Sequence, residues 1–268
     1  MVAIANAMAP SSVGRVLLLS IVTDQAHEDT NKGLEEAQEV LKKALSLSYS
    51  DGQRPEGLIT RASTAWDEIA RVAIQYRCQS LLLGLGDLSE EDPNRVLQDL
   101  VEKVGCDVAL MKSPPRWRLR DVRRVLVPVG GRGAEHELRA RLLGSLTRNG
   151  GREVTFISVV PTSSSKSFLK NSQKTLRRLA EVQLRGNIQV EIIQSDSPVE
   201  AILQASDNFD LIVLGLGEIS SSNLLENSAI RVAHECKCAA VLLSRHHTRL
   251  PLVNSWPLIP YTSRDETL

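Results

Sequence analysis

Residues Leu214–Ala233 read LGLGEISSSNLLENSAIRVA. The segment leaves an apolar run through two glycines, crosses a small polar loop and enters a helical pattern, the order of a strand, a turn and a helix. An echo, LLGLGDLSEEDPNRVLQDL, occupies Leu82–Leu100. GLGDLS at Gly84–Ser89 matches GLGEIS at Gly215–Ser220 residue type for residue type. Two readings follow: a phosphate cradle, or a strand-to-helix turn that the chain builds twice.

Working outward, the likeness extends on both sides. GCDVALMKS (Gly105–Ser113) aligns with KCAAVLLSR (Lys237–Arg245), and GLITRASTAWDEIARVA (Gly57–Ala73) with VEIIQSDSPVEAILQAS (Val190–Ser206). Repetition of this length marks two copies of one structural unit. They join near Pro114–Arg124, which sets an N-terminal unit at 1–113, a linker at 114–122, a C-terminal unit at 123–245 and a tail at 246–268.

The second copy shows the plan. Strands are predicted at Arg124–Val129, Glu153–Val160, Ile188–Gln194, Asp210–Gly215 and Ala239–Ser244 from their β-branched apolar runs. Leu138, Leu142 and Leu146 recur at helical spacing after the turn Gly130–Gly133. Further helices are expected at Ser167–Leu184, at Pro198–Ser206 with Ser197 as N-cap, and at Leu225–Glu235. Strands alternating with helices imply a parallel sheet covered on both faces.

The first copy follows the plan from its second strand onward: strands at Arg15–Val22, Leu58–Arg61, Leu81–Leu83 and Val108–Met111, and a helix at Thr30–Leu47. Met1–Ala9 reads as the last turns of its first helix, and the first strand with its glycine turn has no counterpart. That strand is normally central, so its absence is expected to leave a gap, and the chain is expected to be a fragment, or a shifted start, of a longer polypeptide.

With two five-stranded α/β units and a glycine turn after the fourth strand of each, the chain resembles a tandem universal stress protein. The resemblance covers nearly everything but the linker and the tail after Arg245. It implies Rossmann-like units of the adenine nucleotide alpha hydrolase type, the first lacking its first strand. Nucleotide-binding members carry G-x-x-G, nine residues, then G-[ST] after the fourth strand, and an Asp at the end of the first strand. Here nine residues separate Gly217 from Asn227-Ser228, only one separates Gly215 from Gly217, and Gly130 stands where the Asp would be. The resemblance therefore implies a nucleotide site in the second unit formed by Val129, Gly130, Gly131, Gly133, Gly215, Gly217, Ser220, Asn227 and Ser228, with Ser221 and Ser222 as further donors and Glu218 opposing a phosphate. Glycines allow backbone N–H groups to approach an anion at a helix N-terminus. The ligands it implies are ATP, AMP or cyclic di-AMP. In the first copy Val96 and Leu97 replace the G-[ST] pair, and Asp87, Glu90, Glu91 and Asp92 repel a polyphosphate.

RVLVPVGGRGAEHELRARLLGSL (Arg124–Leu146) further resembles the cytosolic C-terminal region of certain bacterial amino-acid permeases. That resemblance implies the transmembrane part of a permease as partner. A free-standing ATP- or cyclic-dinucleotide-binding stress protein is the alternative, and an ATPase or transferase the third. A homodimer is expected from exposed edges of the last strands.

Other signals narrow the classes. The chain carries 32 basic and 32 acidic residues, so the formal charge is zero and no nucleic-acid surface is expected. No apolar run approaches the length of a membrane span, and MVAIANAMAP lacks a basic region ahead of its apolar stretch, so a soluble, cytosolic chain is expected. The linker sets Arg116, Arg118, Arg120, Arg123 and Arg124 around Trp117, which gives either contact with anionic head groups or a docked connection with alternating apolar residues. Cys78, Cys106, Cys236 and Cys238 lack the second spaced pair of a zinc site and read as small apolar residues at the core's edge. His246-His247 lacks a third ligand, so no metal is expected. No nucleophile elbow, Walker loop or HExxH occurs. Glu135 and His136 are the base candidates nearest a ligand and read more simply as a first-turn acid and a surface histidine. No catalytic residue is assigned.

Overall fold

The computed structural model describes residues 1–9, 14–23, 30–50, 55–85, 93–130, 136–148, 151–184, 186, 188–216 and 228–244. In the second unit five strands run β5 (Arg124–Pro128), β6 (Glu153–Val160), β7 (Ile188–Gln194), β8 (Leu211–Gly215) and β9 (Ala239–Ser244). Between them lie α5 (His136–Arg148), α6 (Lys166–Gln183), α7 (Pro198–Ser206) and α8 (Ser228–Glu235). The spatial order β9-β8-β5-β6-β7 is parallel throughout, with β5 in the middle. Central position on a two-sided sheet requires an uninterrupted apolar run. Val125, Leu126 and Val127 meet it with no exposed surface, each such burial contributing about 1.5–3 kcal/mol.

The helices sort to two faces. Leu138, Leu142 and Leu146 of α5 and Leu176 and Ala180 of α6 pack on one side of the sheet. Ile230, Val232 and Ala233 of α8 pack on the other, with Val199, Ile202 and Leu203 of α7 partly buried against that core. Pro198 opens α7 as expected, but Ser197 makes no capping hydrogen bond: its N–H donates to the Ser195 hydroxyl, which in turn donates to the Ser197 carbonyl. The N–H of Glu200, which a Ser197 cap would accept, is instead held by Glu200's own carboxylate.

The first unit comprises α1 (Val2–Met8), β1 (Leu17–Thr23), α2 (Thr30–Ser50), β2 (Glu56–Ala62), α3 (Ala65–Gln75), β3 (Ser80–Gly84), α4 (Pro93–Val104) and β4 (Asp107–Lys112). Its four strands fall into two groups. β1 and β2 pair in parallel as a separate ribbon, while β3 and β4 pair in parallel and continue the second unit's sheet. The join is β4 against β9, antiparallel, with Leu110 opposite Leu242. The result is a seven-stranded sheet, β3-β4-β9-β8-β5-β6-β7, beside a two-stranded one. Within each unit the strands pair in parallel, as expected from sequence, and only the join between the units is antiparallel. It also uses the last strands' edges inside the chain, which removes the basis on which a homodimer was expected.

α1 stands where a first helix belongs. Ile4, Ala7 and Met8 bury into the same core as α5, and α1 packs against both α5 and α2. One buried polar pair ties the first and second helices of each unit: the Ser48 hydroxyl donates to Asn6 at 2.9 Å, and Arg139 Nε donates to Gln183 at 2.8 Å. No helix among the described residues is long and apolar enough to cross a membrane.

Candidate functional site

The order β9-β8-β5-β6-β7 has a switch point. The chain leaves β5 toward α5 on one face and leaves β8 toward α8 on the other, so a crevice opens at the carboxyl ends of these neighbours. Such crevices are where open α/β sheets receive ligands. Val125 pairs with Leu211 and Leu126 with Ile212, which sets β5 and β8 side by side with the same direction.

Four of the residues singled out from sequence lie in the described part, all at this crevice or its border. Val129 follows β5, its N–H donating to Ile157 at 2.7 Å, and Gly130 comes next, exposed. Gly215 closes β8 in register with Leu243, and the following Leu216 donates to the Leu243 carbonyl at 2.8 Å. Ser228 opens α8 and is exposed. Gly131, Gly133, Gly217, Ser220 and Asn227 lie outside the described residues, as do Ser221, Ser222, Glu218, Glu135 and His246-His247. His136 begins α5.

The glycines' role differs from the one expected of a turn. Neither Gly130 nor Gly215 nor Gly84 adopts positive φ; among the described glycines that conformation belongs to Gly105, Gly151 and Gly186. A Cβ added at Gly130 would meet nothing within 4 Å. Neither backbone strain nor crowding thus demands a glycine at 130, and what it provides is open space at the mouth of the crevice.

The amino ends of β5 and β8, on the rim opposite the crevice, are tied by a residue that sequence reading passed over. Asp210, just before β8, accepts the N–H groups of Arg123 and Arg124, both at 2.8 Å, while its own N–H donates to the Arg124 carbonyl. Trp117 Nε1 donates to the Asp210 carbonyl at 3.4 Å. The linker docks accordingly: Val122 is buried, Trp117 and Leu119 pack against the core, and Arg118, Arg120 and Arg123 remain exposed. Asp210 carried no motif; its only sequence signal was an acid at the start of a strand.

A second missed contact crosses between units. Lys112 Nζ at the end of β4 donates to the carbonyls of His234 and Cys236, each at 2.8 Å, placing a cation at the C-terminal end of α8. Cys236 is buried in the core beneath α8 and Cys238 packs against it, while burial pushes the Cys106 thiol up to about 12. Cys106 and Cys236 are buried, while Cys78 and Cys238 are half-buried.

Asp67 and Glu200 occupy the first turns of α3 and α7 and carry the repeat into its electrostatics. Lys103 of α4 reaches Asp67 at 3.0 Å, and Arg231 of α8 reaches Glu200 at 3.0 Å. The Thr64 hydroxyl and then Lys103 hold the Asp67 carboxyl below its ordinary range; at Glu200 its own backbone N–H acts first and Arg231 second.

No model of a protein family matches the chain, and no curated protein does. Among solved structures, the cytoplasmic domain of a prokaryotic cation chloride cotransporter aligns over 90% of this chain and 88% of its own, with 14% identity and a TM-score of 0.61. A universal stress protein from Archaeoglobus fulgidus aligns over 87% and 85%, with 19% identity and a TM-score of 0.56. A functionally unknown protein from Pseudomonas aeruginosa aligns over 90% and 95%, with 14% identity and a TM-score of 0.52. The chain therefore has the fold of universal stress protein structures, in an arrangement also used by the cytoplasmic part of a transporter.

Proposed function

We propose that the chain is a universal-stress-protein-like regulatory or interaction module, working as the soluble cytosolic part of an amino-acid permease. The observation that supports the transporter link is the alignment of nearly the whole chain with a cotransporter's cytoplasmic domain. The permease as the particular transporter rests on the resemblance carried by Arg124–Leu146. In this reading the module sits at the cytosolic face of the membrane, and the exposed arginines of the linker face anionic head groups. Reading the genomic frame upstream of codon 1 tests the link: membrane-spanning segments support it, and a stop codon there overturns it.

The ligand in this proposal is an adenine nucleotide, ATP, AMP or cyclic di-AMP, with its phosphates over the crevice between β5 and β8. The clearance at Gly130 and the parallel pairing of β5, which leads to Val129, with β8, which ends at Gly215, support that placement. The module binds and transmits; we assign it no reaction. Transmission requires the ligand to bind two states of the module with different affinity. Calorimetric titration with the three nucleotides is expected to give saturable heat with at least one, lost in Gly217→Val. No heat and no thermal shift with any of them would sink the nucleotide reading. Heat without membrane segments upstream favours the second reading, a free-standing nucleotide-binding stress protein.

A further inference from the structure

In a chain whose formal charge is zero, α6 gathers positive charge on one side. Its sequence, KSFLKNSQKTLRRLAEVQ, sets Lys166, Lys170, Lys174, Arg177 and Arg178 against a single carboxylate, Glu181, in the last turn. Lys166, Lys170, Lys174 and Arg178 follow one another at four-residue steps with Arg177 alongside, so they share one face. At about 1.5 Å per residue the stripe is roughly 18 Å long. All five cations are exposed, while Ser172, Leu176 and Ala180 are buried on the helix's inner side.

Cations on other helices are paired. Arg141 meets Glu137 on α5, Arg231 meets Glu200 and Glu235, and Lys103 meets Asp67. The five of α6 have neither an ion pair nor a side-chain hydrogen bond among the described residues. The neighbouring β7 offers them no acid: Ile188, Val190 and Ile192 join the core beneath α6, and Glu191, at the alternate position, belongs to the other face. Like charges at four-residue spacing repel one another and weaken a helix. The fold does not require them. α2 packs on β1 and β2 as α6 packs on β6 and β7, and it balances Lys32, Lys42 and Lys43 with Glu35, Glu36 and Glu39. Two apolar side chains also stand out from α6. Phe168 in the first turn is 37% exposed and Val182 in the last is 75% exposed. At ~3.6 residues per turn they lie within roughly 40° of each other around the axis, with Val182 four residues beyond Arg178.

We infer that the outward face of α6 docks on an anionic phospholipid bilayer, with the cations over lipid phosphates and Phe168 and Val182 entering the headgroup boundary. Charge complementarity selects an anionic surface. The exposed apolar pair selects a bilayer over a nucleic acid, whose phosphate backbone gives such side chains no partner. The inference rests on the placement of the module at a membrane and adds a surface distinct from the linker arginines. The two surfaces approach each other: α6 leads to the amino end of β7, on the rim where Arg152 Nη2 donates to the Leu119 carbonyl of the linker at 2.9 Å.

The test is co-sedimentation of the full chain with vesicles of phosphatidylcholine alone and of phosphatidylcholine mixed with phosphatidylglycerol. Binding is expected only to the mixed vesicles, and it should weaken as salt rises. Lys170→Gln, Lys174→Gln and Arg178→Gln together should lower it at least ~10-fold. Lys32→Gln, Lys42→Gln and Lys43→Gln remove the same charge from α2 and should change it less than ~2-fold. Lys170→Arg with Lys174→Arg should keep it. In the unaltered chain, acylation of Lys170 and Lys174 by a water-soluble active ester should slow on mixed vesicles, while that of Lys42 and Lys43 should not. Equal losses from the α2 and α6 sets would overturn the assignment to α6, as would unslowed acylation of Lys170 and Lys174. Binding unchanged in the α6 set but lost in Arg118→Gln with Arg120→Gln would move the contact to the linker and leave the membrane placement intact. Binding to neither vesicle, or α6-dependent binding to duplex DNA tighter than to mixed vesicles, would overturn the bilayer. A stop codon upstream of codon 1 bears on the permease alone, so the two failures are distinguishable.

Discussion

β3 and β8 are the fourth strands of the two copies, and they differ less in sequence than in surroundings. SLLLG and LIVLG pair in the same register with β4 and β9, and each is followed by a buried leucine, Leu85 and Leu216. Yet β8 is buried along its first four residues and β3 is half-exposed along its whole length. The same local sequence thus yields different burial because a strand's second neighbour supplies half of its cover. Strand propensity is a property of the run; core membership is a property of the sheet.

The largest expected effect sharpens that contrast at two matched leucines. Leu214→Ala should cost about 3 kcal/mol in urea unfolding, within the range for a buried leucine, and Leu83→Ala about half as much. Equal losses would mean that β3 is as well covered as β8 and would break the comparison. The next effect concerns the residue ahead of each strand. Asp210→Ala should cost roughly 2 kcal/mol, because two backbone N–H groups of the central strand lose a charged acceptor. Gln79→Ala, with no central strand beside it, should stay within about 0.5 kcal/mol.

The smallest effect concerns charge. Asp67 and Glu200 both have carboxyls held below the ordinary carboxylate range by their hydrogen-bond and ion-pair partners. A depressed carboxylate stabilises the fold above its unfolded pKa, and that contribution disappears as pH falls through the lower folded value. Urea midpoints should therefore fall between about pH 4.5 and pH 3. Lys103→Met and Arg231→Met should each flatten part of that fall by similar small amounts, since both pairs are solvent-exposed. A much larger change from one of them would show that the two copies no longer share this feature.

Most of the fold was legible in the sequence because the repeat let each copy check the other. β6, β7, α7 and β9 lie where their apolar runs placed them, and α1 is helical and packs beside α5. The missing strand was also legible, as a gap in an otherwise matched series. The antiparallel join of β4 and β9 was not, since VALM and AVLL are equally suited to either direction. The site was legible only in outline. Gly130 and Gly215 were found through a pattern of residue types, and the structure shows that neither is there for a left-handed turn. Asp210 and Lys112 escaped because their partners are backbone groups far along the chain, which leave no mark in local sequence.

The antiparallel β4–β9 pair also fixes the directions in which the two copies face. β3 and β4 run one way and β8, β9 and β5 the other. The carboxyl ends of the first unit's fourth and fifth strands thus lie on the rim of the sheet opposite the crevice that holds Gly130 and Gly215. Ligands at the two switch points would be held on opposite rims, too far apart for one small molecule to bridge. Any surface laid along one rim would meet the ligand-bearing end of only one copy.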